Sequence, residues 1–224
     1  MRYREVKEAR FLERPNRFIA RVMLDGRIET VHVKNTGRCR ELLLPGSRVY
    51  LSYDPSPLRK TDYDLVAVWK GERLINIDAQ APNAVFAEWM QEKYGQVSLW
   101  PEYTYGDSRF DFRLDTEEGM QFVEVKGVTL EDGGHVAFPD APTERGTKHL
   151  RGLAAAVRAG IPSAVCFIIQ MEGVLDFTPA DWIDPAFAAA LREARDAGVR
   201  IEAYDCCVTP DTLSICSTVP VLLP

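Results

Sequence analysis

The sequence lacks the features that mark membrane and exported proteins. In its 224 residues, no apolar run approaches the ~18 residues that a membrane-spanning helix needs. Its charged beginning, Met1 to Lys7, leads into no apolar signal segment. Internal repeats and low-complexity segments are missing as well. We therefore expect a folded cytoplasmic protein that is not exported and has no membrane partner.

Cysteine and histidine are scarce and scattered. The five cysteines form no C-x-x-C pair, and a disulfide between the adjacent Cys206 and Cys207 would be badly strained. We therefore expect buried or half-buried thiols in a reducing compartment. The three histidines lie far apart in the sequence, which argues against a His-rich zinc site: His32, His135 and His149.

Charge is divided unevenly along the chain. Residues 1–80 contain 16 Lys+Arg and 11 Asp+Glu, a net charge of +5. Residues 81–224 contain 11 basic and 22 acidic residues, a net charge of −11. A basic segment joined to an acidic one is compatible with nucleic-acid binding, although +5 over 80 residues is a modest excess.

The first 80 residues alternate as short strands do. Two apolar-polar runs, 18–24 and 27–33, flank Asp25-Gly26, which predicts a β-hairpin. Further strands are predicted at 48–53, 63–69 and 73–77, with a helical turn at 40–44. About five short strands predict a small β-barrel over residues 1–80. An OB-like barrel is a natural candidate, and an SH3-like barrel fits the pattern nearly as well.

Residues 81–224 alternate helices with strands. Helices are predicted from Asn83, as N-cap, to Gly95, over 143–159 and over 185–197. Strands are predicted at 102–105, 109–114, 120–126, 163–170, 199–204 and 213–217. This order predicts an α/β domain with a mixed sheet over residues 81–224.

One predicted hairpin carries the chemistry. Strands 108–114 and 120–126 meet between Glu117 and Glu118, so a symmetric register places Asp111 directly opposite Glu124. Lys126 shares their face, because side chains on a strand alternate with period two. The other face is predicted to pack on a helix through Phe110, Phe112, Leu114, Val123 and Val125. Two opposed carboxylates destabilise a sheet unless a cation lies between them.

These residue types are those of metal-assisted phosphodiester hydrolysis. Asp111, Glu124 and the Val125 carbonyl would hold Mg²⁺ or Mn²⁺ through oxygen atoms. Lys126 would orient the attacking water or offset charge on the phosphate. Glu88 and Glu102 are further candidates as ligands or supports. The alternative is that Glu-x-Lys on a strand is an ordinary solvated ion pair.

Basic residues at turns and at a helix start are candidate phosphate contacts. Arg145 and Lys148 open the second helix, and a helix N-terminus attracts anions. In the barrel, Phe18 or Tyr53 offers a stacking surface for a base. The set of candidate nucleic-acid contacts is Arg17, Arg38, Arg40, Lys60, Arg109, Arg145 and Lys148.

Taken together, these residues resemble the sugar fermentation stimulation protein A (SfsA) family of bacteria and archaea. The resemblance spans nearly the whole chain, with Cys39 and Gly127 as minor departures where the family usually has Met and often has Asn or Ser. The matching stretches are 14–18 (RPNRF), 35–38 (NTGR), 59–61 (RKT), 82–83 (PN), 108–112 (SRFDF), 124–130 (EVKGVTL), 138–141 (FPDA) and 145–150 (RGTKHL).

The resemblance implies an N-terminal OB-fold domain and a C-terminal PD-(D/E)xK nuclease-like domain, with Asp111, Glu124 and Lys126 matching the D…ExK core. We hypothesise a Mg²⁺- or Mn²⁺-dependent nuclease that acts on DNA or RNA. The alternative is a DNA-binding regulator of sugar metabolism that keeps a nuclease-like fold without turnover, because fold alone does not establish function. A homo-oligomer is compatible with either hypothesis.

Overall fold

A computed structural model of the chain describes residues 1–35, 37–95, 97–117 and 119–224. Thr36 of the predicted loop motif and Glu118 of the predicted hairpin turn lie outside these residues. Within the described ranges the chain forms three helices and three β-sheets. None of the helices in these ranges is both long enough and apolar enough to cross a bilayer.

The N-terminal part is a closed barrel. The first five strands form a ring in the order β1-β2-β3-β5-β4, which the parallel pairing of β3 with β5 closes. A five-stranded barrel with this pairing is an OB-fold, so the OB-like prediction is confirmed and the SH3-like alternative is not. The strands are β1 (Val6–Asn16), β2 (Ile19–Leu24), β3 (Arg27–Val33), β4 (Arg48–Tyr53), β5 (Tyr63–Lys70) and β6 (Arg73–Asn76).

The sequence pattern did not reveal β1. Its pairing with β2 shifts register on either side of Glu13, and such bulges interrupt the two-residue alternation from which a strand is predicted. The predicted hairpin is confirmed, because β2 and β3 pair without a shift from Leu24↔Arg27 to Ile19↔His32. At the helical turn predicted for residues 40–44, the chain makes a single turn. A hydrogen bond of 2.9 Å from the Leu43 amide to the Cys39 carbonyl closes it.

The C-terminal part is built on a mixed six-stranded sheet in the order β15-β14-β12-β9-β8-β7. The central strands β9, β12 and β14 are parallel, whereas β7, β8 and β15 are antiparallel to their neighbours. The mixed α/β prediction is therefore confirmed. The strands are β7 (Ser98–Tyr105), β8 (Ser108–Thr116), β9 (Gly119–Val128), β12 (Ser163–Ile169), β14 (Arg200–Val208) and β15 (Leu213–Thr218).

Three helices cover the two faces of this sheet. Helix α1 (Ala81–Tyr94) packs against β9 and β15, whereas α2 (Glu144–Arg158) packs against β8 and β12 and also against α3 (Pro185–Asp196). The N-caps of the last two helices are the Thr143 and Asp184 side chains, as expected for these residue types. The predicted cap at Asn83 is wrong, because α1 begins two residues earlier and leaves the Asn83 side chain free for another contact.

A third, small sheet connects the barrel to the C-terminal domain. It consists of β10 (Leu130–Asp132), β11 (His135–Phe138) and β13 (Asp176–Pro179). From β10 the buried carboxylate of Glu131 pairs with Lys70 at 2.7 Å and with Arg73 at 2.6 Å, at the two ends of the β5–β6 turn. Burial alone would raise the pKa of Glu131, but these two cations and the Gly134 amide hold it below its ordinary value.

The predicted register of the β8–β9 hairpin is confirmed, but one side chain is on the wrong face. Residues pair from Thr116↔Gly119 to Phe112↔Val123, as the symmetric hairpin requires. Phe112 packs on Phe86 of α1, whereas Phe110 packs on Phe122 toward α2. The two rings are on opposite faces because the regular ladder stops before Asp111, and the alternation that predicts a common face stops with it.

Cys39, Cys166 and Cys206 are buried thiols, as expected. The expectation is wrong for Cys207 and Cys216, which are joined by a disulfide between β14 and β15. Their pairing depends on a register shift between Tyr204 and Cys206 that the sequence pattern does not show.

We predict that Gly152→Ala destabilises the fold. Alanine ordinarily favours a helix over glycine by about 1 kcal/mol. In α2, however, a Cβ at position 152 would overlap the Ser108 hydroxyl and lie 3.1 Å from the Ser108 Cβ. We expect a net loss of about 1–3 kcal/mol in the free energy of unfolding, measured by urea denaturation.

Ser108→Ala removes the hydroxyl and provides the matched control. The double variant should recover part of the loss, and a Gly152→Ala protein as stable as the parent would contradict the close packing of α2 on β8.

Candidate functional site

Glu124 is the centre of the candidate site. Its carboxylate is 1% exposed on β9, and its Oε1 atom accepts hydrogen bonds from Lys126 Nζ and His149 Nδ1. Its Oε2 atom is buried and receives no hydrogen bond from any residue that the structure describes. A buried carboxylate oxygen without a donor is costly, and it is a ready ligand for a hard cation.

Asp111 approaches this carboxylate from the point where β8 leaves the regular ladder. Its Oδ2 atom accepts a hydrogen bond from the Val125 amide at 2.9 Å, and its Oδ1 atom accepts one from Asn83 Nδ2 at 3.1 Å. The side chain of Asp111 therefore takes the place of a backbone partner for β9. The regular β8–β9 pairing ends at Phe112↔Val123, so the predicted pair of Asp111 and Glu124 lies just beyond it, where Asp111 bonds to the residue after Glu124.

The two carboxylates have opposite pKa shifts. Burial and the charge of Glu124 raise the pKa of Asp111, and Lys126 offsets only part of this effect. Burial would also raise the pKa of Glu124, but the hydrogen bond from His149 and the charge of Lys126 lower it on balance. Glu124 thus ionises more readily than a free carboxyl, whereas Asp111 keeps its proton to a higher pH than a free carboxyl does.

Sequence reasoning missed His149 and Asn83. His149 is 6% exposed on the second turn of α2 and orients Glu124 through its Nδ1 atom. Neither residue is near the hairpin in sequence, so only the packing of α1 and α2 on the sheet brings them to it. One signal was present: Arg145 and His149 are four residues apart on a predicted helix and therefore share a face.

The beginning of α2 carries the predicted cations. Arg145 and Lys148 are both exposed, and the Nε atom of Arg145 lies 3.5 Å from Nε2 of His149. Since His149 contacts Glu124 through its other ring nitrogen, Arg145 lies one side chain away from the acidic centre. This end of the helix therefore places the positive charge of Arg145 near the Glu124 carboxylate.

The structure places Glu88 and Glu102 elsewhere. Glu88 pairs with the amino group of Met1 at 2.5 Å and is 55% exposed. It is five residues after Asn83 on α1, which turns it about 140° away from the side that contacts Asp111. Glu102 is exposed on the edge strand β7 and pairs with Arg109 at 3.2 Å. The role of the Val125 carbonyl as a ligand stays a prediction.

A basic groove of about 350 Å³ lies on the barrel. The guanidinium of Arg14 donates to four backbone carbonyls, at positions 17, 35, 37 and 38, at 2.6–2.9 Å. Arg14 is thus a structural residue that shapes the loop. The exposed cations around the groove are the predicted Arg17, Arg38 and Arg40.

The other aromatic and basic candidates on the barrel differ in whether their side chains already have a partner. Phe18 is 47% exposed, with the Arg17 guanidinium 5.0 Å from its ring centroid. Lys60 is also exposed. Tyr53, in contrast, packs on Tyr63 with ring centroids 5.1 Å apart. Phe18 is therefore the better placed of the two predicted stacking surfaces.

The loop of the basic groove reaches the C-terminal domain at Asp140. A Cβ on Gly37 would lie 2.5 Å from Oδ2 of Asp140, so only glycine permits this approach. Burial raises the pKa of Asp140, and the charge of Arg38 lowers it in part. Asp140 is four residues before α2, and α2 carries His149 to Glu124. The groove and the acidic centre are therefore connected through segment 140–149.

Two family models together match most of the chain. The family model described as "SfsA N-terminal OB domain" matches residues 12–77, and the one described as "Sugar fermentation stimulation protein RE domain" matches residues 80–212.

Curated relatives are similar over nearly the whole chain. A sugar fermentation stimulation protein homolog of Desulfitobacterium hafniense (strain Y51) is 54% identical over 215 residues, which cover 95% of this chain and 94% of that protein. A homolog of Clostridium beijerinckii is 46% identical over the full length of both. The solved structure of Pyrococcus furiosus SfsA in complex with Ca²⁺ has a TM-score of 0.88 at 28% identity and covers 99% of this chain and 98% of that one.

We predict that a divalent cation stabilises the fold, and that at a fixed cation concentration the stabilisation grows as the pH rises through the raised pKa of Asp111. The pKa of Asp111 is raised, so at acidic pH a proton occupies the carboxyl and competes with the cation; the competition disappears as pH rises. At a concentration of about 100 Kd the expected gain is about 2.7 kcal/mol, measured as a shift in Tm with Mg²⁺ or Mn²⁺.

Glu124→Gln is the control, because it keeps the shape of the side chain and removes its charge; its Tm should not respond to the cation. A shift in the parent protein that is independent of pH would contradict the assignment to Asp111.

Proposed function

The chain belongs to the sugar fermentation stimulation protein (SfsA) family, and we propose that it is a Mg²⁺- or Mn²⁺-dependent nuclease that hydrolyses phosphodiester bonds of DNA or RNA. The observation that carries the proposal is the unpartnered, buried Oε2 atom of Glu124 beside the carboxylate of Asp111. A structural ion pair on a strand gains nothing from such an arrangement, whereas a metal site requires it.

The donor set fits a hard divalent cation. Asp111 and Glu124 would hold it through carboxylate oxygens, with the Val125 carbonyl as a third ligand, which is the oxygen chemistry that Mg²⁺ and Mn²⁺ prefer. When bound, the cation polarises a phosphate and lowers the pKa of a coordinated water. Binding of Ca²⁺ by the Pyrococcus furiosus relative supports an oxygen-lined site for this class of ion.

The remaining groups act on the substrate and on the carboxylates. Lys126, 15% exposed, projects its ammonium into the site, where it orients the water and offsets negative charge that develops on the phosphate. His149 holds the Glu124 carboxylate in place, and Asn83 does the same for Asp111. Arg145 and Lys148 at the start of α2 bind the phosphate backbone that crosses the site.

The barrel binds the nucleic acid strand in this proposal. The groove contains the exposed Arg17, Arg38 and Arg40, which form no salt bridge with any residue that the structure describes, and the Arg17 guanidinium lies over the exposed ring of Phe18. OB-folds bind single strands through two components. Cations lie along the phosphate backbone, and aromatic rings stack on the bases.

The second candidate is a DNA-binding regulator without turnover. The basic groove favours it, because binding there needs neither the metal nor the acidic centre. The nuclease needs Glu124 and Lys126 for cleavage, whereas the regulator binds DNA without cleaving it. Cleavage assays on variants of these two residues therefore separate the two candidates.

We predict that cleavage of DNA or RNA depends on Glu124 and Lys126. The substrates are circular single-stranded DNA, duplex DNA and RNA, each with Mg²⁺ or Mn²⁺. Glu124→Ala removes a metal ligand and Lys126→Ala removes the charge beside the phosphate, so each should lower the cleavage rate at least about 100-fold. EDTA should abolish cleavage by the parent protein.

Glu88→Gln is the matched control and should keep full activity, since Glu88 pairs with Met1. Cleavage that is equal in all variants would reveal a contaminating nuclease. Binding without cleavage in the parent protein would favour the regulatory candidate.

We predict that the barrel groove sets the salt dependence of binding. Replacing Arg17, Arg38 and Arg40 together by alanine should weaken binding of a single-stranded oligonucleotide. It should also reduce the slope of log K against log salt by about 2, because each lost phosphate contact removes about 0.7 on a single strand. Fluorescence anisotropy at several salt concentrations measures both quantities.

A variant with the same change in net charge at other exposed positions is the control: Arg4, Arg27 and Arg158, each to alanine. An equal loss of slope in both triple variants would show that overall charge, and not the groove, binds the strand.

A further inference from the structure

Cys207 and Cys216 form a cross-strand pair at the edge of the C-terminal sheet, on residues that the proposed function does not use. Cys207 on β14 lies opposite Ser214 on β15, so Cys216, two residues further, is its diagonal neighbour on the same face. The Cα atoms are 5.5 Å apart, and a disulfide joins the sulfur atoms. Cys216 is exposed and Cys207 is half-buried, whereas the other three cysteines are buried.

The carboxylate of Glu172 completes the cluster. Its carboxylate oxygen and the two sulfur atoms all lie within 4.8 Å of one another. Glu172 is exposed and lines an open groove together with Arg73 and Val208, so solvent and ions reach it freely. In the disulfide the two sulfur atoms are bonded to each other, so Zn²⁺ can bind only after a thiol reductant cleaves that bond and the sulfur atoms separate to the roughly 4 Å between ligands of a tetrahedral Zn²⁺ with bonds of about 2.0–2.3 Å.

The backbone around the cluster is held by a residue that is not itself a member. The buried carboxylate of Asp205 accepts hydrogen bonds from the Gly173 amide at 3.1 Å and from the Ser217 amide at 2.8 Å. These amides are adjacent to Glu172 and Cys216. The Cys206 amide, adjacent to Cys207, donates to the Met171 carbonyl at 3.1 Å. All three members are therefore preorganised by contacts that do not occupy their side chains.

From this geometry we infer a second metal site: Glu172, Cys207 and Cys216 bind a soft divalent cation such as Zn²⁺ when the two cysteines are reduced. Two thiolates and one carboxylate are the ligand types that zinc accepts, and water takes the fourth position. The same donors are unsuited to Mg²⁺, which prefers oxygen alone. The disulfide and the metal complex are alternative states, because both need the same two sulfur atoms.

The test uses the full chain in its reduced form, with Cd²⁺ as the probe. Cd²⁺ bound by thiolates gives an ultraviolet sulfur-to-metal charge-transfer band, which carboxylate ligation at Asp111 and Glu124 does not produce. We expect the band to saturate at one Cd²⁺ per chain and Zn²⁺ to displace it. Cys207→Ser and Cys216→Ser should each abolish the saturating band, and Glu172→Gln should weaken binding about 10- to 100-fold.

Ser214→Ala, on the same face of the sheet, is the matched control and should bind as the parent does. The oxidised parent protein should give no band, which tests the site without any substitution. A reduced chain whose two surface thiols react with a thiol reagent but that gives no band would overturn the inference, and the pair would then be an ordinary surface disulfide. A band that persists in Cys216→Ser would overturn it as well.

Discussion

The buried charge of Glu124 is the constraint on which the site depends. An ionised carboxylate that is nearly inaccessible to water needs compensation, and the chain supplies it from two directions: Lys126 on the same strand and His149 on α2. Both partners bind Oε1, so Oε2 is left without a donor among the described residues, and the charge of Glu124 helps to raise the pKa of Asp111. The protein thus stabilises the charge of Glu124 without neutralising the side that a cation would approach.

This constraint also explains the arrangement of the elements around the sheet. Helix α2 must begin close to β9 for His149 to reach Glu124, and Gly152 permits the close approach of this helix to Ser108 on β8. On the other face, α1 must begin early enough for Asn83 to reach Asp111. The local break in the β8–β9 ladder at Asp111 accompanies the use of this side chain, in place of a backbone group, as the partner of the Val125 amide.

The sequence reveals the part of the site that depends on local periodicity. A symmetric hairpin and a two-residue alternation point to Asp111, Glu124 and Lys126. The register observed between β8 and β9 is the one that this symmetric hairpin predicts. His149 and Asn83 could not be found in this way, because helix packing brings them to the strand from 25 and 28 residues away. The face on which Phe110 lies and the pairing of Cys207 with Cys216 could not be predicted for the same reason. The first depends on a break in the β8–β9 ladder and the second on a register shift between β14 and β15, and neither has a local signal in the sequence.

The uneven charge of the chain fits a division of work between the two domains. Residues 81–224, with a net charge of −11, repel a polyanion at long range, so the proposed nucleic-acid substrate could approach them only through local cations. The barrel, with a net charge of +5, supplies them in the groove of Arg17, Arg38 and Arg40. The contact of Gly37 with Asp140 joins this groove to the segment that leads into α2, where Arg145 and Lys148 add positive charge beside the carboxylates. In the proposed function, a strand held by the barrel groove would reach the acidic centre along segment 140–149, which begins beside Gly37 and ends at His149, the partner of Glu124.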